Sequence, residues 1–113
     1  MDPEQKLREL GLELPTGPQP VGAYVPTVRT GKLIFTAGQI PIRDGHLAAR
    51  GKVPTDVPLD EAKHAAERAV LNALGAIKAE AGSLDVVARV VRLNVYVNSS
   101  AGFGDQAKVA NGA

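Results

Sequence analysis

Two stretches of the chain carry a clear hydrophobic period, and the periods differ. Between residues 59 and 81, Ala62, Ala66, Val70, Ala73 and Ile77 recur three or four apart, with Ala69 and Leu74 beside them. Lys63, Glu67, Arg68 and Lys78 lie largely off that stripe, so the pattern predicts a long amphipathic helix. Pro58 suits its first turn, Asp60 and Glu61 favour the positive end of its dipole, and Gly82 supplies a C-terminal stop. The stripe is narrow and lined by alanine, so the helix is expected to lie close against a sheet. Over residues 86–98 the period becomes two. Val87, Val91, Leu93, Val95 and Val97 share one side with Arg89, while Arg92, Asn94, Tyr96 and Asn98 share the other with Val86, Ala88 and Val90. This predicts a long strand with one face on the helix. The other face, half apolar and half polar, suits a partner subunit or a wet interface.

The remaining elements are shorter. Leu7, Leu10 and Leu14 have roughly helical spacing after a start signal at Asp2-Pro3-Glu4, and Pro15, Gly17, Pro18 and Pro20 then forbid a regular element. Residues 21–29 read as a strand broken by Pro26, closed by Thr30-Gly31 onto a second strand at Leu33, Ile34 and Phe35. Thr36-Ala37-Gly38-Gln39 then puts a hydroxyl, two small residues and an amide at the end of that apolar rod, and Pro41 ends regular pairing. The plain reading is a bulge or tight bend; small residues also let a backbone or ligand approach closely, and Gly38 is free to take a positive φ. Asp44-Gly45 predicts a short hairpin over residues 40–47, and residues 51–58 a loop. After a loop at 99–104, a second helix starts near residue 105 with Asp105 as its cap.

Composition narrows the function. The 113 residues make one domain, read as an N-terminal segment and Pro-rich arm (1–20) and a core (21–113). A net charge of +1 gives no electrostatic case for nucleic acid or an anionic membrane. No apolar run is long enough to span a bilayer, and no cysteine is available for disulfides, thiolate metal sites or a nucleophile, which suits a cytoplasmic chain. Aromatic residues are only 4%, so core contacts come from many small side chains, and oligomerisation is an expected source of further burial.

Candidate chemistry is sparse. His46 beside a turn and His64 on the polar side of the helix make no constellation, and no ligand spacing points to a metal. Ser99 and Ser100 have no base nearby in sequence, and Gly102 and Gly104 around Phe103 lack the setting of a phosphate cradle. Arg43, Arg50 and Lys52 form a small basic loop group, read as a solvated surface.

The run Phe35-Thr36-Ala37-Gly38-Gln39-Ile40-Pro41 resembles the F-x-S-G-Q-I-P signature of the YjgF/RidA family, also called L-PSP endoribonuclease-like. Gly22-Ala23-Tyr24 before it and Gly82-Ser83-Leu84-Asp85 leading into the valine-rich segment agree with the family's pattern, in the same order. The resemblance implies an α+β fold: a mixed or antiparallel sheet with helices packed on one face, RidA-like (chorismate-mutase-like) in architecture and incomplete at the C-terminus. It makes residues 10–15 a leading segment that adds an edge strand. It also implies a homotrimer, with clefts between subunits that bind a small molecule, and hydrolysis of 2-imino or 2-enamino acids to 2-oxo acids and ammonia. No metal or organic cofactor takes part.

Matched by motif, Tyr24 stands at the family's cleft tyrosine, Thr36 at its serine, and Gly38 at the glycine whose backbone approaches the substrate. Ala37 and Gln39 complete the substrate-binding segment. Tyr24 as a core ring with one hydrogen bond is the competing account. The family's carboxylate-gripping arginine belongs to two C-terminal strands that would follow Ala113, no arginine here matches it, and its loop asparagine falls on Ala101. The expectation is therefore that the chain is a portion of a longer one or that a partner covers its sheet edge. The same departure raises a second reading, a non-catalytic ligand-binding or regulatory trimer.

Overall fold

The computed structural model describes residues 2–16 and 22–113. Gly17, Pro18 and Pro20 of the expected arm, and Val21 at the expected start of the first strand, lie outside the described residues. The chain is α+β, and it divides into two compact units: residues 1–39 with 71–91, and residues 40–70 with 92–113.

The first unit begins with α1 (Pro3–Glu9), whose ends follow from the sequence. Asp2 accepts a hydrogen bond from the Gln5 backbone N–H at 2.8 Å, and Pro3 takes the first turn, where a missing N–H costs nothing. At the other end Gly11 takes φ +73°, its N–H bonds to the Arg8 carbonyl, and Leu12 N–H reaches back to Leu7 at 2.9 Å. This paired closure is a Schellman motif, and it stops the helix before Leu14. Residues 12–15 form no strand, so the expected edge strand is absent; of their N–H groups the closure takes up that of Leu12.

The segment running on to Pro15 then seats on α2 (Leu59–Ala81), which contributes residues 71–81 to this unit. A Cβ at Gly75 would lie 2.6 Å from the Pro15 carbonyl oxygen. That contact explains a shift of the buried stripe. Leu71, Asn72, Gly75 and Ala76 are buried, whereas Ala73, Leu74 and Ile77, expected at the centre of the face, are half-buried.

The α2 helix ends at Gly82 (φ +88°), as its sequence predicts, and a short 3₁₀ turn, η1 (Leu84–Val86), follows. Here the N-terminus returns. The Glu4 carboxylate accepts from Lys78 Nζ at 2.5 Å, Ser83 Oγ at 2.6 Å and the Leu84 N–H at 3.1 Å, while the Glu4 N–H donates to Asp85. One residue thus ties α1 to a junction some eighty positions away. The Lys78 hydrogen bond first, then that of Ser83, hold its pKa well below the usual carboxylate range, at about 2, against an opposing effect of burial.

The unit also holds an antiparallel hairpin, β1 (Thr27–Thr30) with β2 (Leu33–Thr36), in the register Thr27 to Thr36 and Thr30 to Leu33. Gly31 takes φ +56° in its two-residue turn, the first central position that a II′ turn reserves for glycine. The first strand is shorter than expected because residues 22–26 bend ahead of it.

In the second unit Asp44 and Gly45, at φ +52° and +79°, close β3 (Ile42–Arg43) onto β4 (His46–Leu47), the two positive φ values a I′ turn requires. Val53 and Val57 of the following loop, Ala62 of α2 and Val109 of α3 (Gln106–Ala110) form a buried cluster, with Ala49, Leu59, Ala66, Val97 and Phe103 packed around it. Each buried valine contributes about 1.5–3 kcal/mol relative to exposure. Asp105 precedes α3 but makes no side-chain capping bond.

The long strand expected over residues 86–98 does not form: Val86 belongs to η1, and residues 87–98 have no ladder partner among the described residues, except at their end. There Val53 bridges in parallel to Ser99, through Val53 N–H to Asn98 O and Ser100 N–H to Val53 O, both 2.8 Å. Alternation survives only near the ends of the segment: Val87, Val95 and Val97 are half-buried and Tyr96 is 90% exposed, whereas residues 88–94 are all exposed. Val91 and Leu93, expected on the covered side, are exposed too.

The Glu4 contribution is fully present above pH 4.5, its ordinary value, and is lost as pH falls through about 2. Thermal melts should therefore show Glu4→Gln less stable than the native chain at neutral pH, with the difference closing toward pH 2. Gly75→Ala should destabilise by about 1 kcal/mol: overpacking costs about 1–3 kcal/mol, against a helix-propensity gain of about 1 kcal/mol. A urea midpoint that rises in this variant would show that Pro15 does not rest on the helix.

Candidate functional site

The segment singled out by sequence, residues 36–39, leaves the end of β2 on the open side of the hairpin. Thr36 pairs with Thr27, and the ladder extends one step beyond, through Ala37 N–H to Pro26 O at 2.8 Å. Pairing then stops, because residues 22–26 bend instead of continuing the strand. Thr36 and Gly38 are exposed, Ala37 and Gln39 half-buried. The Gln39 side-chain amide folds back to donate to the Ala37 carbonyl at 3.3 Å, fixing the bend.

Gly38 differs from expectation in one respect. Its φ is not in the positive region, and an added Cβ would meet no atom within 4 Å. The chain's own fold therefore does not demand a glycine here; what the missing side chain provides is open backbone on an outward surface. Tyr24 is 41% exposed, which removes the account of it as a core ring. Its N–H bonds to the Gly22 carbonyl at 2.9 Å, and its ring lies over Gly22, 3.4 Å from where a Cβ would be.

The hairpin register thus brings Tyr24 and the 36–39 segment to one end of the first unit, on either side of the last ladder bond. Neither of two shallow clefts on the surface includes them: one is lined by Glu4, Leu7, Arg8, Leu12, Glu13, Leu14 and Lys78, the other by Arg43, Ala48, Glu61, His64, Ala65 and Arg68.

Sequence reasoning missed two clusters. The acceptor role of Glu4 left no signal beyond its place in a helix start. Arg43, read as solvated loop surface, and Arg68, read as lying off the helix stripe, share the second cleft, and the Arg68 Nε donates to the Ile42 carbonyl at 3.0 Å. Among the described residues, no group of three or more His, Asp or Glu side chains converges to hold a metal, and no helix is long and apolar enough to cross a membrane.

Fold and candidate site together define a small α+β protein whose exposed hairpin end offers a hydroxyl, an amide and open backbone. Residues 4–113 match the family described as "YjgF/chorismate_mutase-like, putative endoribonuclease", and the chain belongs to this YjgF family. It is 38% identical over 107 residues to "Protein TCP17" of Trypanosoma cruzi, covering 95% of this chain and 67% of that protein. Among solved structures it resembles a "putative endoribonuclease" of Shewanella oneidensis (TM-score 0.88, 29% identity, 99% of this chain and 74% of the other). It also resembles the protein Atu1372 of Agrobacterium tumefaciens, of unknown function (TM-score 0.85, 38% identity, 96% of this chain and 66% of the other). The chain thus spans about two thirds to three quarters of the length of these relatives.

Because nothing in the chain packs against Gly38, Gly38→Ala is expected to change unfolding free energy by no more than about 0.5 kcal/mol. A chemical-denaturation curve checks this; a larger loss would show that the glycine is structural.

Proposed function

We propose that the protein hydrolyses 2-imino or 2-enamino acids to 2-oxo acids and ammonia, in clefts between the subunits of a cytoplasmic homotrimer. The observation that carries this reading is the exposure of Thr36 and of the uncrowded Gly38 at the hairpin end, in a chain of this family.

The chemistry asks little of the protein. Water adds its oxygen to the imine carbon, the nitrogen takes up protons, and the carbinolamine collapses to a carbonyl as ammonia leaves. In this reading Thr36 relays a proton between water and nitrogen, Tyr24 closes the cleft and fixes the substrate's orientation, and backbone N–H groups near Gly38 hold the developing charge. Ala37 keeps the wall low, and Gln39 holds the bend that presents Gly38.

A second reading, ligand binding without turnover, is favoured by a departure inside the sequence: the family's loop asparagine falls on Ala101. The endoribonuclease descriptions belong to the similar proteins; a net charge of +1 and 4% aromatics give this chain no basic track or stacking platform for RNA.

Ammonia release from 2-imino acids generated in situ by an amino-acid oxidase tests the reading. Hydrolysis should exceed the spontaneous rate, and Thr36→Val, which keeps shape but removes the hydroxyl, should lower kcat/KM by about 10²-fold or more. Protein that sediments as a trimer and melts higher with a 2-oxo acid, yet releases no ammonia above background, would establish the binding module instead.

A further inference from the structure

The cleft of the second unit is not part of the site above. It measures about 280 Å³ and is lined by Arg43 of the β3–β4 hairpin, Ala48 just after it, and Glu61, His64, Ala65 and Arg68 of α2. Glu61, His64, Ala65 and Arg68 stand three and four apart, so they share one helix face. Three of the six lining residues carry basic groups, and two of these are permanent cations.

Arg68 is held ready. Its Nε bond to the Ile42 carbonyl fixes the guanidinium plane against the hairpin and leaves the two terminal nitrogens as donors. The ion pairs among the described residues are Lys78–Glu4 and Lys108–Asp105, so neither Arg43 nor Arg68 has a carboxylate partner. Glu61, the only acid in the lining, pairs with neither arginine nor with His64. Two guanidinium groups facing one concavity without a paired carboxylate repel each other, and an anion between them relieves that repulsion. Ala48 and Ala65 leave the room.

A tetrahedral oxyanion suits this lining better than a carboxylate does. It presents oxygens in several directions, so two separate arginine forks and an imidazole N–H can each find an acceptor. The volume falls just below the range of drug-sized sites, which favours a small ion or a short ester.

We propose that Arg43, Arg68 and His64 form a binding site for a phosphate group, free or as a small-molecule monoester. Glu61 is the rim charge that keeps its affinity low.

Calorimetric titration with sodium phosphate, against sodium chloride at matched ionic strength, tests the proposal. Phosphate should bind saturably. Arg43→Met should weaken it by about tenfold or more, the loss of one charge-assisted contact. Arg43 is exposed and forms no ion pair, so this variant is expected to melt like the native chain, whereas Arg68→Met also loosens the hairpin. Glu61→Gln should tighten binding several-fold. Glycerol 3-phosphate distinguishes the sources: tighter binding than phosphate assigns the site to monoesters, weaker binding to the free ion, and Arg43→Met abolishes the preference in either case. Heat that follows ionic strength alone, or phosphate binding undiminished in both Arg43→Met and Arg68→Met, would overturn the proposal.

Discussion

Close approach of backbone to the small-residue surface of α2 is the constraint on which the rest of the structure depends. With 4% aromatic residues the chain has few bulky groups to fill space, so burial comes from proximity. In one unit Gly75 lets the Pro15 carbonyl come down onto the helix; in the other, Gly112 lies so close to the Lys63 backbone that a Cβ would collide with it. Ala62 and Ala76 are almost fully covered although neither side chain is more than a methyl group. Packing of this kind is intolerant. A bulky core can absorb an added methyl by rotamer changes, but a carbonyl resting on a helix can respond only by moving the chain that carries it.

That constraint also marks what was legible in the sequence. The helix itself, both hairpin turns and the stop at Gly82 could be read because each depends on local chemistry: a 3.6-residue period, or glycine where φ is positive. The direction of the helix face was legible only in part. Periodicity pointed at Ala73 and Ile77, but the covered line runs through Asn72 and Ala76, because the segment ending at Pro15 is what lies on the helix. The Glu4 clamp was not legible at all. A glutamate in a first helical turn is explained sufficiently by the helix dipole, and nothing local says that it will also serve a junction eighty residues away.

Residues 86–98 show a different limit. Their alternation is a statement about side chains, and it is visible only near the ends, in half-buried Val87, Val95 and Val97, while residues 88–94 are all exposed. A strand is also a statement about backbone, and that needs a neighbour which alternation does not name. Among the described residues only Val53 supplies one, at Ser99. The β1–β2 hairpin repeats the lesson: Val28 and Phe35 face each other across the ladder, yet both are more than half exposed. A two-stranded ribbon with its apolar side in water is marginal on its own. Both segments have the residues of buried structure and, within one copy, too little to bury them.

The same shortage bears on the proposed chemistry. An exposed threonine hydroxyl beside open backbone competes with bulk water for every proton and every hydrogen bond it offers. Preorganised donors accelerate hydrolysis only where water is excluded, since a high dielectric screens the developing charge they are meant to hold. Thr36 and Gly38 are exposed in a single chain, so the groups that would react are present while their enclosure is not. A second surface laid over the hairpin end would supply that enclosure, and would cover the exposed Val28 and Phe35 if it also reached the other face of the ribbon. Burial of the apolar ribbon and drying of the candidate site would then be one event, which makes catalysis in this reading a property of the assembly and not of the fold.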